Sequence, residues 1–434
     1  MVHGGGASWS SQTNFQEKID PALHRVASFD DIRNLARRRL PRVIFDFVDG
    51  AAGAEQTLRA NREAFQSVGL RPRQASAPLS TDLSVEILGQ KLKMPILLAP
   101  CGSARTVHPS GEHAIARAAA RAGTVYVVPH LGGTHCDDLR PDESSPLWYQ
   151  IYKYGGREVS EPAVRRAWGA GYRTLVVTID NARTVRERDV RNGLGPLLSG
   201  KRMKALPYMG QLLAKPKWLM GFMRDSKGAI STPNAIRPDG STMTFLELAA
   251  AAAKPDGAFR WADFTWLRQI WPGPIVAKGI LTADDARRAV DCGVEGIIVS
   301  NHGGRTLDGL EPTLRVLPEI ASAVPGNIAV LLDSGVRRGP DVIKAICLGA
   351  HAVLIGRAYM LALSCGEPGV SRMLSLLETD LKHSLATLGC SSVTELNRDF
   401  VRTPADWDIE SQVRSLRPAG RGHLASSFGI QQSQ

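Results

Sequence analysis

Four times between residues 275 and 357 a short apolar run stops at a polar, glycine-rich turn. Ile275-Val276-Ala277 runs into Lys278-Gly279, and residues 296–299 run into Ser300-Asn301-His302-Gly303-Gly304-Arg305. Val330-Leu331-Leu332 runs into Asp333-Ser334-Gly335-Val336-Arg337-Arg338-Gly339, and Val353-Leu354-Ile355 into Gly356-Arg357. Runs that are apolar without alternation read as strands buried on both faces. Helical stretches separate them: residues 282–290 behind the cap Thr282, and 341–348 behind Gly339-Pro340. The same unit recurs four times upstream, with strands near residues 95–100, 125–131, 147–151 and 174–180 and helices such as 112–122 and 161–170. Eight such units close most economically into a (β/α)₈ TIM barrel, whose strand C-termini open on one face. The polar strand ends therefore share one mouth.

Composition narrows the function class. A chain of 434 residues, 43% hydrophobic and 22% charged, suits one large barrel with insertions. No apolar run is long enough to span a membrane, and the N-terminus lacks a basic-then-apolar secretory signal, so the expected location is the cytoplasm. The six cysteines show no paired spacing, which implies neither disulfides nor a metal site. The net charge of +11 comes from dispersed arginines without a nucleic-acid module or an aromatic platform, so it reads as solvated basic surface.

Three segments lie outside the barrel. Residues 1–27 read as a flexible arm and 413–434 as a basic tail, with the barrel domain over 28–412. Residues 28–65 read as capping helices broken at Leu40-Pro41. Residues 181–273 form an insertion after the fourth strand, far longer than an ordinary βα connection. Within it, Lys215-Pro216-Lys217-Trp218-Leu219-Met220-Gly221-Phe222-Met223 is an apolar, aromatic patch expected to serve as a lid or a subunit contact.

Several ordered motifs carry a family resemblance: Leu40-Pro41-Arg42, Met94-Pro95-Ile96, His108-Pro109-Ser110-Gly111-Glu112, Tyr149-Gln150-Ile151-Tyr152, Lys278-Gly279 and the strand-end turns quoted above. Over about residues 28 to 410 the chain resembles the FMN-dependent α-hydroxy acid oxidases and dehydrogenases, which include glycolate oxidase, lactate oxidase and mandelate dehydrogenase. The resemblance implies FMN, a small-molecule substrate and a homo-oligomer, commonly a tetramer. Gly335, Arg337, Gly356 and Arg357 would take the phosphate at the ends of strands seven and eight, the usual barrel phosphate site. Pro100, Cys101 and Gly102, together with Pro129, Ser300, Asp333 and Ser334, would border the ring, and Gln150 and Thr178 would bond its pyrimidine part. Lys278 would stabilise charge on the reduced ring.

By the same resemblance, His302 would take the hydroxyl proton of an L-2-hydroxy acid as two electrons pass to flavin N5, Asp180 would orient the imidazole, and Tyr152 would bond the reacting oxygen. Arg305 and Arg186 would clamp the substrate carboxylate, with Arg188 or Arg183 as alternatives to Arg186. Singly, each has a plainer reading: a structural histidine, a packed aromatic, a strand-end ion pair at Lys278, surface arginines. Only their joint order favours a site.

The departures bear on substrate. Phe47 stands where relatives that take small hydroxy acids place a carboxylate-binding tyrosine. A hydrogen bond to a charged group is worth roughly 1.5 to 3 kcal/mol, so either an aryl or bulky substrate packs on Phe47 or the carboxylate is not the main handle; small substrates such as glycolate are disfavoured. Pro129-His130 replaces the usual serine after strand two, and His130 is a candidate polar group of the pocket. Ser334 stands where glycine is common, Cys101 where threonine is, and Asn181-Ala182 where Thr-Pro is. The insertion also resembles that of the mycofactocin-maturation flavoproteins, which leaves oxidation of an amine or modified peptide as the rival chemistry. A flavin-binding barrel without turnover and a non-flavin phosphate-binding barrel are the remaining alternatives.

Overall fold

The computed structural model describes residues 20–76, 78–139, 146–180, 185–198, 202–225, 231–252, 254 and 257–407. Eight strands, β1 (Ile96–Leu98), β2 (Tyr126–Pro129), β3 (Leu147–Ile151), β4 (Leu175–Thr178), β5 (Ile275–Ile280), β6 (Gly296–Val299), β7 (Ala329–Leu332) and β8 (Ala352–Ile355), close into the expected (β/α)₈ barrel. All neighbours run parallel, and Val353 opposite Ile96 through Ile355 opposite Leu98 closes the ring.

The apolar runs are explained by burial on both sides. Successive strand side chains alternate in direction. Leu97, Val127, Trp148, Val176, Val276, Ile298, Leu331 and Leu354, one from each strand, form a single cluster that fills the lumen. Their neighbours Ile96, Val128, Tyr149, Leu175 and Ile297 belong to the outer core with the helices. A hairpin of Val85–Ile87 and Gln90–Leu92 plugs the N-terminal end: Ile87 and Leu92 join the lumen cluster, and Trp148 Nε1 donates to Gln90 Oε1 at 2.6 Å. Only the C-terminal end is left for a site.

The capping helices obey their sequence signals. Ser28 Oγ accepts from the Asp31 N–H at 3.2 Å and starts the Phe29–Arg39 helix. Leu40-Pro41 breaks the chain, Pro41 sits at the cap of the Arg42–Asp49 helix, and a third helix comes next at Gln56–Ser67. The middle one brings Phe47 and Val48 to the barrel mouth.

Two expectations change. Residues 20–27, assigned to a flexible arm, are docked: Leu23 and Val26 are buried in the outer core, and Arg372 holds the Val26 carbonyl at 2.7 Å. Residues 1–19 and the tail 413–434 lie outside the described residues. The patch in the insertion is no lid over the mouth. It forms the Pro216–Arg224 helix on the flank, where Trp218 Nε1 donates to the Thr106 carbonyl at 2.9 Å and Lys215 Nζ to the Arg38 carbonyl at 2.6 Å. Its aromatic content is spent locally, since Trp218 and Phe222 stack at 5.0 Å. Among the described residues of the insertion, only Arg186 lines the mouth.

Candidate active site

The mouth encloses a cavity of about 350 Å³. At its centre is His302, at the end of β6. Its Nδ1 lies 3.2 and 3.3 Å from the two carboxylate oxygens of Asp180, and its Nε2 lies 3.3 Å from the Tyr152 hydroxyl. Asp180 fits there because residue 279 is glycine, at φ 109°: a Cβ would fall 2.7 Å from the Asp180 side chain. Tyr152 stacks on Tyr154 at 4.5 Å, and burial pushes its phenol well above the ordinary value, so it keeps its proton. An imidazole with a carboxylate on one nitrogen and a neutral phenol near the other is built to accept a proton at Nε2.

Around this base the cavity is strongly cationic. Lys278, Arg186, Arg305, Arg337 and Arg357 line it, against one lining carboxylate, Asp333. Burial alone would lower Lys278, but Asp333, 3.2 Å away, and Asp180 outweigh it and hold the lysine above its ordinary value. Burial lowers Arg305 and, reinforced by neighbouring arginines, pushes Arg357 and Arg186 down to about 9 and Arg337 to about 10. Desolvated cations crowded in this way are stabilised by bound anions.

The four arginines fall into two groups. Arg357 donates to the carbonyls of Asp49, Gly50 and Gly303 at 3.1, 2.8 and 2.8 Å, and a Cβ at residue 303, itself at φ 65°, would push the guanidinium aside. Arg337 lies 4.4 Å from the Phe29 ring centroid, and its buried Nε has no hydrogen-bond partner. Both sit with Gly335 and Gly356 at the ends of β7 and β8, where a phosphate would offer the missing acceptor. Arg186 and Arg305 form the second group beside Phe47, and Arg305 donates to the carbonyls of Phe47 and Gly50 at 2.9 Å each.

Pro100, Cys101, Gly102, Pro129, Gln150, Asp333 and Ser334 also line the cavity. Thr178 and Ser300 are buried one layer back: Thr178 accepts from Gln150 Nε2 at 3.0 Å and Ser300 from Lys278 Nζ at 2.9 Å. His130 does not line the cavity. It is fully buried, edge-on to Tyr149, and only its backbone N–H reaches the site, donating to Gln150 Oε1 at 3.3 Å. With both ends of the Gln150 amide bonded, its orientation in the cavity is set. Arg188 cannot replace Arg186, because it bonds Asp49 at 2.8 Å and Glu55 at 2.5 Å behind the mouth. Arg183 and Asn181-Ala182 lie outside the described residues.

Sequence reasoning missed the Asp49, Glu55, Arg33 and Arg188 ion-pair network that fixes the capping helix, and the lining residues Val48, Leu131 and Met360. The alternation of acidic and apolar residues in Phe45-Asp46-Phe47-Val48-Asp49 was its one available signal.

Comparison with known proteins agrees with this layout. Residues 36–403 match the family described as FMN-dependent dehydrogenase. The chain is 37% identical over 384 residues to a peroxisomal (S)-2-hydroxyacid oxidase of Arabidopsis thaliana, covering 88% of this chain and 98% of the relative. It is 38% identical over 389 residues to an L-lactate dehydrogenase of Alcaligenes faecalis, covering 87% and 100%. Among solved structures, the monotopic membrane protein (S)-mandelate dehydrogenase superimposes with a TM-score of 0.79 at 34% identity, covering 87% of this chain and all of that one. With a closed barrel and a match over most of its length, the chain belongs to the FMN-dependent dehydrogenase family.

Proposed function

We propose that the protein oxidises an aryl or otherwise bulky L-2-hydroxy acid to the 2-oxo acid. The observation that carries this reading is the placement of His302, backed by Asp180, in the same cavity as the Arg186 and Arg305 pair. A 2-hydroxy acid offers a carboxylate for the arginines and, one carbon away, a hydroxyl for the base. FMN, which Arg337 and Arg357 would hold at its phosphate and Gln150 and Lys278 at its ring, would supply the two-electron acceptor. His302 Nε2 takes the hydroxyl proton, Asp180 stabilises the resulting imidazolium, and Tyr152 donates to the substrate oxygen. Lys278 holds a fixed positive charge beside the ring. Phe47 offers an apolar face where a polar hydroxyl would favour small substrates.

The amine alternative fits the electrostatics less well, because five lining cations repel a protonated amine. A binding protein without turnover has no use for a carboxylate-backed histidine. The test is an anaerobic absorbance titration of the FMN-loaded protein with aryl and aliphatic 2-hydroxy acids and matching amines, in wild type and Arg305→Lys. Bleaching by hydroxy acids that Arg305→Lys weakens supports the reading. Bleaching by amines alone overturns it.

The insertion adds a surface of its own. Met203, Leu206, Leu213, Met220 and Met223 are exposed, Met203 at 82% and Met223 at 69%, and exposed Lys204, Lys217 and Arg224 flank them. No helix among the described residues is long and apolar enough to cross a membrane. We propose that this face rests on an anionic lipid surface, as a basic amphipathic surface does, in place of the free cytoplasmic location expected from the sequence. The monotopic character of the mandelate dehydrogenase neighbour is consistent with this. Co-sedimentation with phosphatidylglycerol vesicles, reduced in Met223→Glu and Lys217→Glu, is the expected result, and no binding by wild type rejects it.

A further inference from the structure

Three residues at the mouth hold left-handed backbone without being glycine: Ser103 at φ 64°, His302 at φ 56° and Ser334 at φ 75°. Such a conformation is strained in a residue with a Cβ and persists where the surroundings enforce it. His302 and Ser334 belong to one closed ring of contacts. Lys278 Nζ donates to Ser300 Oγ at 2.9 Å, and the same hydroxyl accepts from the His302 N–H at 3.1 Å. The next amide, the Gly303 N–H, donates to Ser334 Oγ at 2.9 Å. Ser334 Oγ in turn donates to Asp333 Oδ1 at 2.7 Å, and Asp333 Oδ2 returns to Lys278 Nζ at 3.2 Å. Thr313 Oγ1, within 2.7 Å of the Asp333 carbonyl and 3.2 Å of the Ser334 carbonyl, anchors the turn from behind.

We propose that Ser334 is a positioning residue that ties the catalytic histidine to the lysine and carboxylate pair at the cofactor ring. This inference rests on the reading of the cavity as an FMN site with His302 as base. The peptide groups on both sides of His302 are gripped by serine hydroxyls, and both hydroxyls also touch the Lys278 and Asp333 pair. The imidazole therefore stands on a backbone whose position depends on that pair. The Ser334 hydroxyl also offsets part of the Asp333 charge, leaving more of the Lys278 charge for the reduced cofactor. Glycine at 334 would keep the turn but supply neither bond.

The test compares Ser334→Gly and Ser334→Ala in FMN-loaded protein. Both remove the hydroxyl; glycine relieves the left-handed strain and folds readily, whereas alanine retains the strain. Two readouts are needed: the flavin midpoint potential, measured by reductive titration without substrate, and the pH dependence of anaerobic reduction by mandelate. The expected result is the same in both variants: a more negative potential, and reduction slowed roughly tenfold or more with little change in substrate affinity. A displaced pH profile accompanies it. Wild-type potential and rates in both variants overturn the proposal, as does an effect confined to one of them, which would assign it to strain. If mandelate and other hydroxy acids fail to reduce the wild type, the functional reading has failed, and the potential still reports on the ring.

Discussion

The Arg186 guanidinium lies over the ring of Phe47, 4.8 Å from its centroid, and Arg305 stands 5.4 Å from the same ring. One aromatic thus orders two cations whose like charges would otherwise spread them. A ring face attracts cations through its quadrupole, and burial, with Arg305 close by, lowers the proton affinity of Arg186. Arg186 is held from the other side by Asp189 at 2.7 Å.

Phe47→Tyr adds a hydroxyl beside this clamp. A further bond to the substrate carboxylate, worth roughly 1.5 to 3 kcal/mol, is expected to raise kcat/KM for lactate at least about tenfold over wild type. An unchanged kcat/KM for lactate would show that residue 47 does not face the substrate carboxylate.

His302→Ala removes the base and leaves the phosphate-type cations intact. Stopped-flow anaerobic reduction is expected to slow by roughly 10²–10⁴, with the flavin spectrum retained. Asp180→Asn, which leaves the imidazolium without its counter-charge, is expected to slow the same step while substrate affinity holds. Retention of full rate in His302→Ala would place the base elsewhere.

Arg357→Met weakens FMN binding. It also loses bonds to Asp49, Gly50 and Gly303, so the informative quantity is the increase in Tm on adding FMN. For wild type at a hundredfold excess over Kd that increase corresponds to about 2.7 kcal/mol. In the variant, at the same FMN concentration, it shrinks; an equal increase would remove Arg357 from the phosphate site.

His130 is buried, and burial brings its pKa from 6.5 down to about 4. The folded state therefore binds fewer protons than the unfolded chain between these values. The stability contributed by the neutral ring is full above about pH 6.5 and is lost as pH falls toward 4, a change on the order of 3 kcal/mol. Thermal unfolding from pH 7 to 4 should fall less steeply in His130→Gln than in wild type. Parallel curves would show that another group carries the acid sensitivity.

The barrel was legible because strands such as Val353-Leu354-Ile355 have one possible environment, lumen on one side and helices on the other. The Ser28 and Thr282 caps were legible because capping is local chemistry. His302 and Lys278 could be placed at one mouth because parallel strands align their C-terminal ends. His130 was misread for the opposite reason. Its neighbour Pro129 does line the cavity, and which of two adjacent residues turns inward depends on how β2 packs on Tyr149.

By itself the sequence determined the fold class, the face that carries the chemistry and the residue types available there, since periodicity and the polar turn at each strand end specify all three. Tertiary structure alone decided which arginine enters the cavity. Arg186 and Arg188 are two residues apart and chemically equal, but Asp49 and Glu55, more than a hundred residues upstream, hold Arg188 behind the mouth. It also decided that Ser334 bonds the amide after His302, a contact between the ends of β6 and β7. Pairings between distant segments depend on how the barrel closes, and no local pattern encodes them.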